Sequence, residues 1–416
     1  MKRIIAFLLI IVMCFSVLVA CKDKEEDVSS DSGDATDNVS DSTSDTESVE
    51  LEPVDTTKRV SFFAVGDNII HECVYLDAMT VASSVGAPTQ YYFENMYADI
   101  KKDVKAADIA FVNAEGPLNP EYKPNGYPSF NAPAEAGSAL VNVGFDVINL
   151  ANNHMLDFNK GSGLQGTIDY WNEKEVVTLG GHESREDYNN IRIISKNGID
   201  IAILSYTYGT NGIKLGADTS NIYIPYINDS EIERQIGEAR GKADVVMVSM
   251  HWGDENSFEP NGEQKRLAKL IADRGADAII GHHSHTIQPV EWLEGKDGNK
   301  TLVIYSLGNI LHTQLKSYNL VGGAVTFDIV KEEEGSPYIE NVVFTPTVCH
   351  YTANTAVLDS LDYYKRENLK IYYLSDYTEE LAKEHGSQYW NKFDLATLKG
   401  YVADTISEEF LPDSYK

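Results

Sequence analysis

GADAIIGHHSHTIQPVE, residues 275–291, joins a short apolar run to an unusual concentration of histidines. The run 276–280 is short and mostly apolar, which is typical of a strand buried on both faces. Three of the chain's ten histidines follow within residues 281–285. We therefore interpret 275–291 as a buried strand that ends in a turn rich in metal-ligand side chains.

Other apolar runs end in the same way, with polar side chains that bind ligands well. FFAVGD ends in Asp67, IAFVNAE in Asn113 and Glu115, VINLANNH in Asn152, Asn153 and His154, and VVMVSMHWGD contains His251 near its end. Asp and Asn are common in turns, so any one of these ends is unremarkable by itself. Open α/β sheets bind ligands beyond the carboxyl ends of their strands, so we expect these side chains to share one site.

The pattern of the folded part predicts an α/β fold. Strand-like runs are 60–65, 109–112, 147–150, 199–204, 245–249, 278–280 and 302–305, and helix-like stretches are 97–107, 134–143, 164–173, 229–242 and 262–274. Alternation of the two predicts βαβ units and a largely parallel sheet. Later runs at 287–293, 323–330 and 338–344 follow one another without helices and suggest a second, antiparallel portion. Residues 351–416 read as helical.

Composition limits the possible partners. A chain of 416 residues with 43% hydrophobic and 24% charged residues is typical of a soluble globular protein. Its net charge of −30 argues against nucleic acid as a partner, because phosphate binding requires clustered Lys and Arg.

The amino-terminal segment predicts export. Lys2 and Arg3 precede an apolar stretch that is slightly short for a membrane span, so residues 1–20 are interpreted as a lipoprotein signal peptide. The end of that stretch resembles the bacterial lipobox, which makes Cys21 the lipidated residue. The alternative is an uncleaved anchor, and both place the protein outside the cytoplasm, held to the bacterial cell membrane.

The remaining chain divides into three predicted parts. Residues 21–57 form an acidic, Ser/Thr-rich linker with thirteen Asp/Glu against two Lys, too polar to fold by itself. Residues 58–347 are the main domain, and 348–416 are a helical extension packed on it. Beyond the signal peptide and Cys21, the only cysteines are Cys73 and Cys349, which would form either one disulfide or two buried free thiols.

The candidate ligands favour a transition metal. Imidazole, carboxylate and amide oxygen together suit Mn, Zn or Fe, whereas Ca and Mg prefer oxygen throughout. His283 and His285 can reach one centre from a turn, with His251 from a neighbouring strand and Asp67 as a bridge. These ligands exceed the needs of one tetrahedral zinc, and a two-metal site would use them.

Six blocks, in order, resemble the calcineurin-like metallophosphoesterases and, more closely, their relatives in the CapA/PgsA family of capsule and poly-γ-glutamate proteins. The blocks are VGDNIIH (65–71), DIAFVNAEGPL (108–118), GFDVINLANNHMLDF (144–158), VVMVSMHWG (245–253), GADAIIGHHSHTIQPVE (275–291) and YSLGNIL (305–311). The resemblance covers about residues 59–312. It implies a metallophosphoesterase-like layered α/β sandwich with mixed sheets.

The resemblance also assigns roles to individual residues. The metal ligands it implies are Asp67, Asn153, His251, His283 and His285, with Glu115 where ordinary metallophosphoesterases carry a bridging Asp. His154 would contact or protonate the leaving group, and Asp157 would either orient a histidine or cap a turn. Ile69 also stands where those enzymes have a histidine. The number of ions, one or two, is therefore left open.

Six further residues are placed near the metal or substrate: His71, Asn113, Asn152, Trp252, His282 and Asn309. For Trp252 a place in the core is an equal alternative, and His282 would either neighbour the metal or face solvent. Asn309 either makes a turn or contacts substrate.

By this resemblance, the protein takes part in synthesis, export or attachment of an anionic capsule polymer, poly-γ-glutamate or a wall component, as a metal-dependent hydrolase or transferase. The alternative is a non-catalytic subunit that binds the polymer or a membrane-bound capsule synthase, with a structural or vestigial metal site. The sequence names neither the polymer nor the metal.

Overall fold

The structure is a computed structural model, and it describes residues 56–415. The strands are β1 (Lys58–Ile69), β2 (Ile109–Glu115), β3 (Val147–Asn149), β4 (Val177–Leu179), β5 (Ile193–Lys196), β6 (Ile199–Thr207), β7 (Val245–His251), β8 (Ala278–His282), β9 (Val290–Glu294), β10 (Lys300–Ile304), β11 (Asn309–Leu311), β12 (Val321–Lys331), β13 (Tyr338–Leu358) and β14 (Tyr364–Tyr373). The helices are α1 (Glu72–Val85), α2 (Lys101–Ala106), α3 (Ala134–Val143), α4 (Ser162–Asn172), α5 (Arg185–Asn189), α6 (Asp229–Arg240), α7 (Gly262–Asp273), α8 (Glu379–Glu384) and α9 (Leu395–Thr405).

Two mixed sheets form the framework of the described chain. The first has the order β14-β13-β12-β1-β2-β3-β4, with β11 paired to the end of β1. Its strands β1 to β4 are parallel, and β12 to β14 add antiparallel strands beside β1. The second sheet has the order β5-β6-β7-β8-β10-β9, with parallel strands inside and an antiparallel strand at each edge.

Both faces of the second sheet are buried, which explains its nearly continuous apolar strands. Val246 and Val248 of β7 pack with Ile232 of α6 and Leu267 of α7. The alternate residues of β7, such as Met247, join a cluster that includes side chains of the first sheet. His251 shares the Met247 face because side chains alternate along a strand. The sequence therefore directs His251 toward the space between the sheets.

The predicted layered α/β sandwich with mixed sheets is confirmed, and all seven predicted strands are present. Four of the five predicted helices match closely, and the fifth is shorter, as α2. Asn261 explains the sharp start of α7, because its side chain accepts from the Gln264 N–H while Gln264 caps Asn261 in return.

The prediction for the carboxyl-terminal part was wrong in two respects. Residues 348–373 are mainly strand, and the expected boundary at 347/348 falls inside β13, a single strand of the first sheet. Helices begin only at α8. The later antiparallel runs likewise form no separate portion, because each extends one of the two sheets. Single-strand patterns cannot show which sheet a strand joins, since that depends on distant pairing partners.

The two cysteines are free and buried, so the disulfide alternative is wrong. Cys349 donates its thiol to the His312 carbonyl, whereas Cys73 accepts from the Arg366 N–H. The predicted signal peptide, Cys21 and nearly all of the linker lie outside the described residues. Within residues 56–415, no helix combines the length and apolar character needed to cross a membrane.

Candidate metal centre

A row of polar side chains crosses the carboxyl edge of the first sheet. Strand register places Asp67 beside Asn309 on one side and Asn113 on the other, and Asn113 beside Asn149. All four residues are fully buried. Because register partners in parallel strands project side by side, the strand ends identified in the sequence meet in one line.

Asp67 lies at the middle of this row and accepts several hydrogen bonds. The Nδ2 of Asn113 donates to the Oδ1 of Asp67 at 2.8 Å. Its Oδ2 accepts from the His283 backbone N–H at 3.2 Å and lies 3.1 Å from His285 Nδ1. Burial opposes ionisation, but the hydrogen bonds from His285 and Asn113 and the nearby imidazoles together outweigh it and hold the pKa of Asp67 below its ordinary value.

The histidine turn that follows β8 has an unusual backbone. His283 and His285 have φ angles of 95° and 56°, in the left-handed region that residues with a Cβ rarely adopt. Such strain persists only where surrounding structure imposes it, and it concentrates at functional sites. Here it brings both imidazoles beside Asp67 and His251: the His283 ring centroid lies 4.8 Å from that of His251.

Glu115 ends β2 on the same face, and one of its oxygens, Oε2, has no hydrogen-bond partner within residues 56–415. Its Oε1 lies 4.0 Å from His154 Nε2 and 4.0 Å from His285 Nε2. Burial and the nearby Asp67 charge raise the pKa of Glu115 to about 8. A carboxylate in this position is stable only when a cation lies beside it.

His251 and Asn153 form the other side of the centre. His251 Nε2 lies 2.9 Å from Asn153 Oδ1, and its Nδ1 has no hydrogen-bond partner in the described part of the chain. The ring of Tyr208 packs beside His251 and His283, with its centroid 4.5 Å from that of His283. Burial and the proximity of His283 hold the pKa of His251 well below its ordinary value, so its imidazole is neutral. Neutral imidazole is the form that binds metals.

His285 carries the compensating positive charge among the protein's own groups. Burial alone would lower its pKa, but the Glu115 charge and the Asp67 hydrogen bond outweigh burial and raise it to about 9. His283, in contrast, has a pKa lowered to about 3 by burial and by the charge of His285. The centre thus pairs acidic groups with one cation, which a divalent ion could replace.

The donors fit a divalent metal. Asp67, Glu115 and His251 each offer a ligand atom, and the three atoms lie within 4.8 Å of one another. Ligands held about 2.0–2.3 Å from one ion lie at most about 4.6 Å apart, so little adjustment is needed. Three buried atoms of this cluster, Glu115 Oε2, His251 Nδ1 and His283 Nδ1, have no hydrogen-bond partner among the described residues. A bound metal ion would give such atoms a partner.

A cleft of about 280 Å³ opens beside the centre. Glu115, Asn153, His154 and His285 line it, and none of its described lining residues is Lys or Arg. An anionic group in the cleft would therefore meet only histidines as protein cations, namely His285 and the protonated form of His154. A bound metal would supply the missing positive charge.

His154 and Asp157 form a couple at the wall of this cleft. His154 Nδ1 lies 2.6 Å from Asp157 Oδ2, which also accepts from the Phe130 N–H. Burial lowers the pKa of His154, but the hydrogen bond to Asp157 and the charges of Glu115 and Asp157 together outweigh it, and the net shift is upward. Asp157 therefore orients a histidine, the first of the two alternatives.

Four of the residues expected near the metal or substrate take distinct places. His71 lines the cleft and accepts the Thr313 N–H at Nδ1. Asn309 lies 3.0 Å from His285 Nδ1 through its Oδ1. His282 is fully buried, stacks on Phe111 and has its Nδ1 3.6 Å from Asp67 Oδ1, so the solvent-facing alternative is wrong. Asn152 bonds to the backbone of its own loop and of β2.

Trp252 lies in the core and does not line the cleft, which is the second of its two alternatives. Its side chain is 2% exposed, and its Nε1 donates to the Tyr305 carbonyl at 2.9 Å. The indole ring is buried in the apolar cluster beneath α7 that includes Leu267. Trp252 directly follows His251, and successive side chains along a strand face opposite sides, so its side chain is directed into the core.

Replacing Trp252 with Phe is expected to lower the free energy of unfolding by about 2 kcal/mol, because the Tyr305 carbonyl loses its donor and a void remains. Metal affinity should stay unchanged. Urea unfolding and a metal titration measure the two effects. A loss of metal binding without a loss of stability would return Trp252 to the site.

Sequence reasoning missed Asn149, Ser205, Tyr208, Asn211 and Glu255. Asn149 ends β3, so the rule that identified Asp67 and Asn113 also applies to it. Tyr208 and Asn211 lie in the loop after β6, and no motif indicates that this loop returns to the histidine turn. Glu255 is an exposed cleft residue that spacing alone does not distinguish.

Fold and site together define the class: an α/β protein with two facing mixed sheets and a candidate divalent-metal centre at their carboxyl edge. The chain belongs to the bacterial capsule synthesis protein PGA_cap family, whose model matches residues 61–314. That range includes every candidate metal ligand.

Two curated relatives have names that refer to capsule or PGA biosynthesis. The capsule biosynthesis protein CapA of Bacillus anthracis is 31% identical over 271 residues, covering 60% of this chain and 64% of that protein. The PGA biosynthesis protein CapA of Bacillus subtilis is 34% identical over 191 residues, covering 43% of this chain and 46% of that protein. The chain therefore spans less than two thirds of the length of these curated relatives.

Among solved structures, the NAD nucleotidase of Haemophilus influenzae aligns with a TM-score of 0.40 and 12% identity. The alignment covers 86% of this chain and 58% of that one. A likeness of that size carries no information on activity.

Proposed function

We propose that this protein is a lipid-anchored, extracytoplasmic metal-dependent hydrolase or transferase that acts on an anionic capsule polymer of the poly-γ-glutamate kind. The observation that carries the proposal is the metal centre, in which acidic and imidazole ligands converge with unsatisfied buried atoms beside a cleft. The names of the capsule-synthesis relatives support the polymer class.

Asp67, Glu115 and His251 would hold the ion, with Asn153, His283 and His285 available beside them. When bound, a divalent metal supplies a Lewis acid that polarises a phosphoryl or carbonyl oxygen and lowers the pKa of water. The protein's own groups then have defined tasks. Asn153 stays fixed by the Asn211 side chain, to which its Nδ2 donates at 3.3 Å.

His154 is the proton carrier of the proposed reaction. Its Nδ1 is engaged by Asp157, so Nε2 is the atom free to give a proton to a leaving group in the cleft. The raised pKa of His154 favours the protonated form that this task requires. Phe130 packs edge-on against the imidazole, with ring centroids 4.8 Å apart, and limits its rotation.

The same centre would also serve a protein that binds the polymer or a membrane-bound synthase without turnover. The His154–Asp157 couple favours catalysis, because a purely structural metal site has no need of a histidine held for proton transfer. Turnover is the property that separates the two.

The test uses residues Asp55–Lys416, which form one compact unit. Elemental analysis after purification without chelator should find divalent metal, and phosphodiester, phosphomonoester and γ-glutamyl substrates should reveal turnover. Chelation should abolish that activity, and metal should restore it. His283→Ala and His285→Ala should reduce both metal content and turnover.

Absence of metal from the unmutated protein, even after incubation with Mn²⁺, Zn²⁺ or Fe²⁺, would contradict the proposal. Metal without turnover on any of the three substrate classes would favour the binding role.

A further inference from the structure

The row of side chains at the sheet edge continues past the ligands into the second sheet. Asn113 Oδ1 accepts from Asn149 Nδ2 at 2.8 Å, and Asn149 Oδ1 accepts from Ser205 Oγ at 2.5 Å. Ser205 belongs to β6, so the chain of hydrogen bonds crosses the space between the sheets. Its other end is the bond from Asn113 Nδ2 to Asp67. All of these side chains are buried.

The direction of this chain of hydrogen bonds is determined at its Asp67 end. An ionised Asp67 only accepts, so Asn113 must turn its Nδ2 toward the carboxylate. The Asn113 oxygen then faces Asn149 and requires the Nδ2 of that residue. The Asn149 oxygen in turn requires a donor, which the Ser205 hydroxyl provides. Each link therefore orients the next, and a hydrogen-bonded series of this kind strengthens cooperatively.

This orientation has a consequence for Asn113. Its Nδ2 donates to Asp67 and its Oδ1 is directed to Asn149, so Asn113 serves Asp67 as a donor and directs its ligand oxygen away from that carboxylate. Asn113 stands in the block where ordinary metallophosphoesterases carry an acidic bridge, and Glu115 is the remaining acid of β2. The hydrogen bonds thus distinguish the two residues that the sequence left together.

We propose that Ser205, Asn149 and Asn113 act as a positioning relay that fixes the carboxylate of Asp67 and thereby raises the affinity of the centre for divalent metal. The inference rests on the proposed function, since it assumes that Asp67 binds metal. Ser205 itself contacts no candidate ligand and acts only through the two asparagines.

Ser249 provides a matched control. It is the register partner of Ser205 on the neighbouring strand β7, and it is equally buried between the sheets. Its hydroxyl has no hydrogen-bond partner among the described residues. Removing either hydroxyl therefore makes a similar change in packing, but only the Ser205 change breaks the relay.

The experiment compares Ser205→Ala, Ser205→Thr and Ser249→Ala with the unmutated protein by calorimetric titration of Mn²⁺. Loss of an outer partner of a metal ligand weakens binding about 10- to 100-fold. We expect about a tenfold loss for Ser205→Ala, unchanged affinity for Ser249→Ala, and recovery of most of the affinity in Ser205→Thr, which keeps the hydroxyl. Thermal unfolding of each metal-free variant separates a change in affinity from a change in stability.

Equal affinity of Ser205→Ala and the unmutated protein would overturn the relay and leave the metal centre standing. Equal losses in the Ser205→Ala and Ser249→Ala variants would also overturn it, because packing would then be the cause. An unmutated protein that binds no Mn²⁺, Zn²⁺ or Fe²⁺ would overturn the proposed function and the relay together. If Ser205→Ala does not fold, Ser205→Cys replaces it: a thiol is a weak donor, so a smaller loss in the same direction is expected.

Discussion

Replacing Asp67 with Asn is expected to lower the affinity for divalent metal on the order of 100-fold, the upper end of what loss of a well-placed supporting group costs. Asp67 is the acid of the centre that ionises readily, since its pKa is lowered while that of Glu115 is raised to about 8. Asn keeps the size of the side chain but removes the negative charge. Calorimetric titration of Mn²⁺ and elemental analysis measure the effect.

Asp157→Asn is the control for this experiment. It makes the same chemical change at a buried carboxylate, but Asp157 bonds to His154 and the Phe130 N–H and holds no candidate ligand atom. We expect metal binding to persist in that variant while turnover falls, because His154 loses its carboxylate partner. If Asp67→Asn bound metal as tightly as the unmutated protein, Asp67 would not be a ligand.

Replacing Gly66 with Ala is expected to lower the free energy of unfolding by about 3 kcal/mol or more, the high end for overpacking. A Cβ at Gly66 would lie 1.9 Å from the Gly308 carbonyl oxygen, and the backbone on both sides would have to move apart. That movement would break the bond from the Asp67 N–H to Gly308, 2.8 Å in length. Metal affinity should fall as well, since Asp67 is the next residue.

Gly237→Ala supplies the comparison. Gly237 lies inside α6, and a Cβ there would meet no atom within 4 Å. Alanine in a helix interior is more favourable than glycine by about 0.5–1 kcal/mol, so this variant should be slightly more stable than the unmutated protein. Guanidinium unfolding of both variants compares them directly. Equal stability of Gly66→Ala and the unmutated protein would show that β1 and β11 can separate without cost.

Local pattern was enough to predict the strands that carry the site. Asp67, Asn113 and His251 stand at or near the ends of apolar runs, and parallel strands bring such ends to one edge of a sheet. The histidine pair His283 and His285 was also predictable, because it follows a recognisable strand. The position of each of these residues is set by the strand to which it belongs, and each of those strands is recognisable from local sequence.

Other features depend on contacts between distant parts of the chain. Ser205 meets Asn149 only because two sheets face each other, and neither residue has a local signature of that contact. The sequence left Trp252 open between cleft and core, because adjacency to His251 does not show which face of the sheet its side chain occupies. The strand character of 348–373 was missed because its Tyr-rich, charged sequence shows weak alternation, and pairing with β12 decides its conformation.

The end of the family match at residue 314 has a consequence for how members of this family can differ. Gln314 lines the cleft, and its carbonyl accepts the hydroxyl of Tyr351, a residue beyond the match, at 2.6 Å. The neighbouring Thr313 carbonyl accepts from Arg366 of β14 at 2.7 Å. One wall of the cleft is thus held in place by Tyr351 and Arg366, which lie beyond the residues matched by the family model. Two chains with identical motifs can therefore diverge in selectivity by changing only the residues that support this wall. A fragment ending at residue 314 would keep Gln314 and every candidate ligand but lose the support of Tyr351 and Arg366.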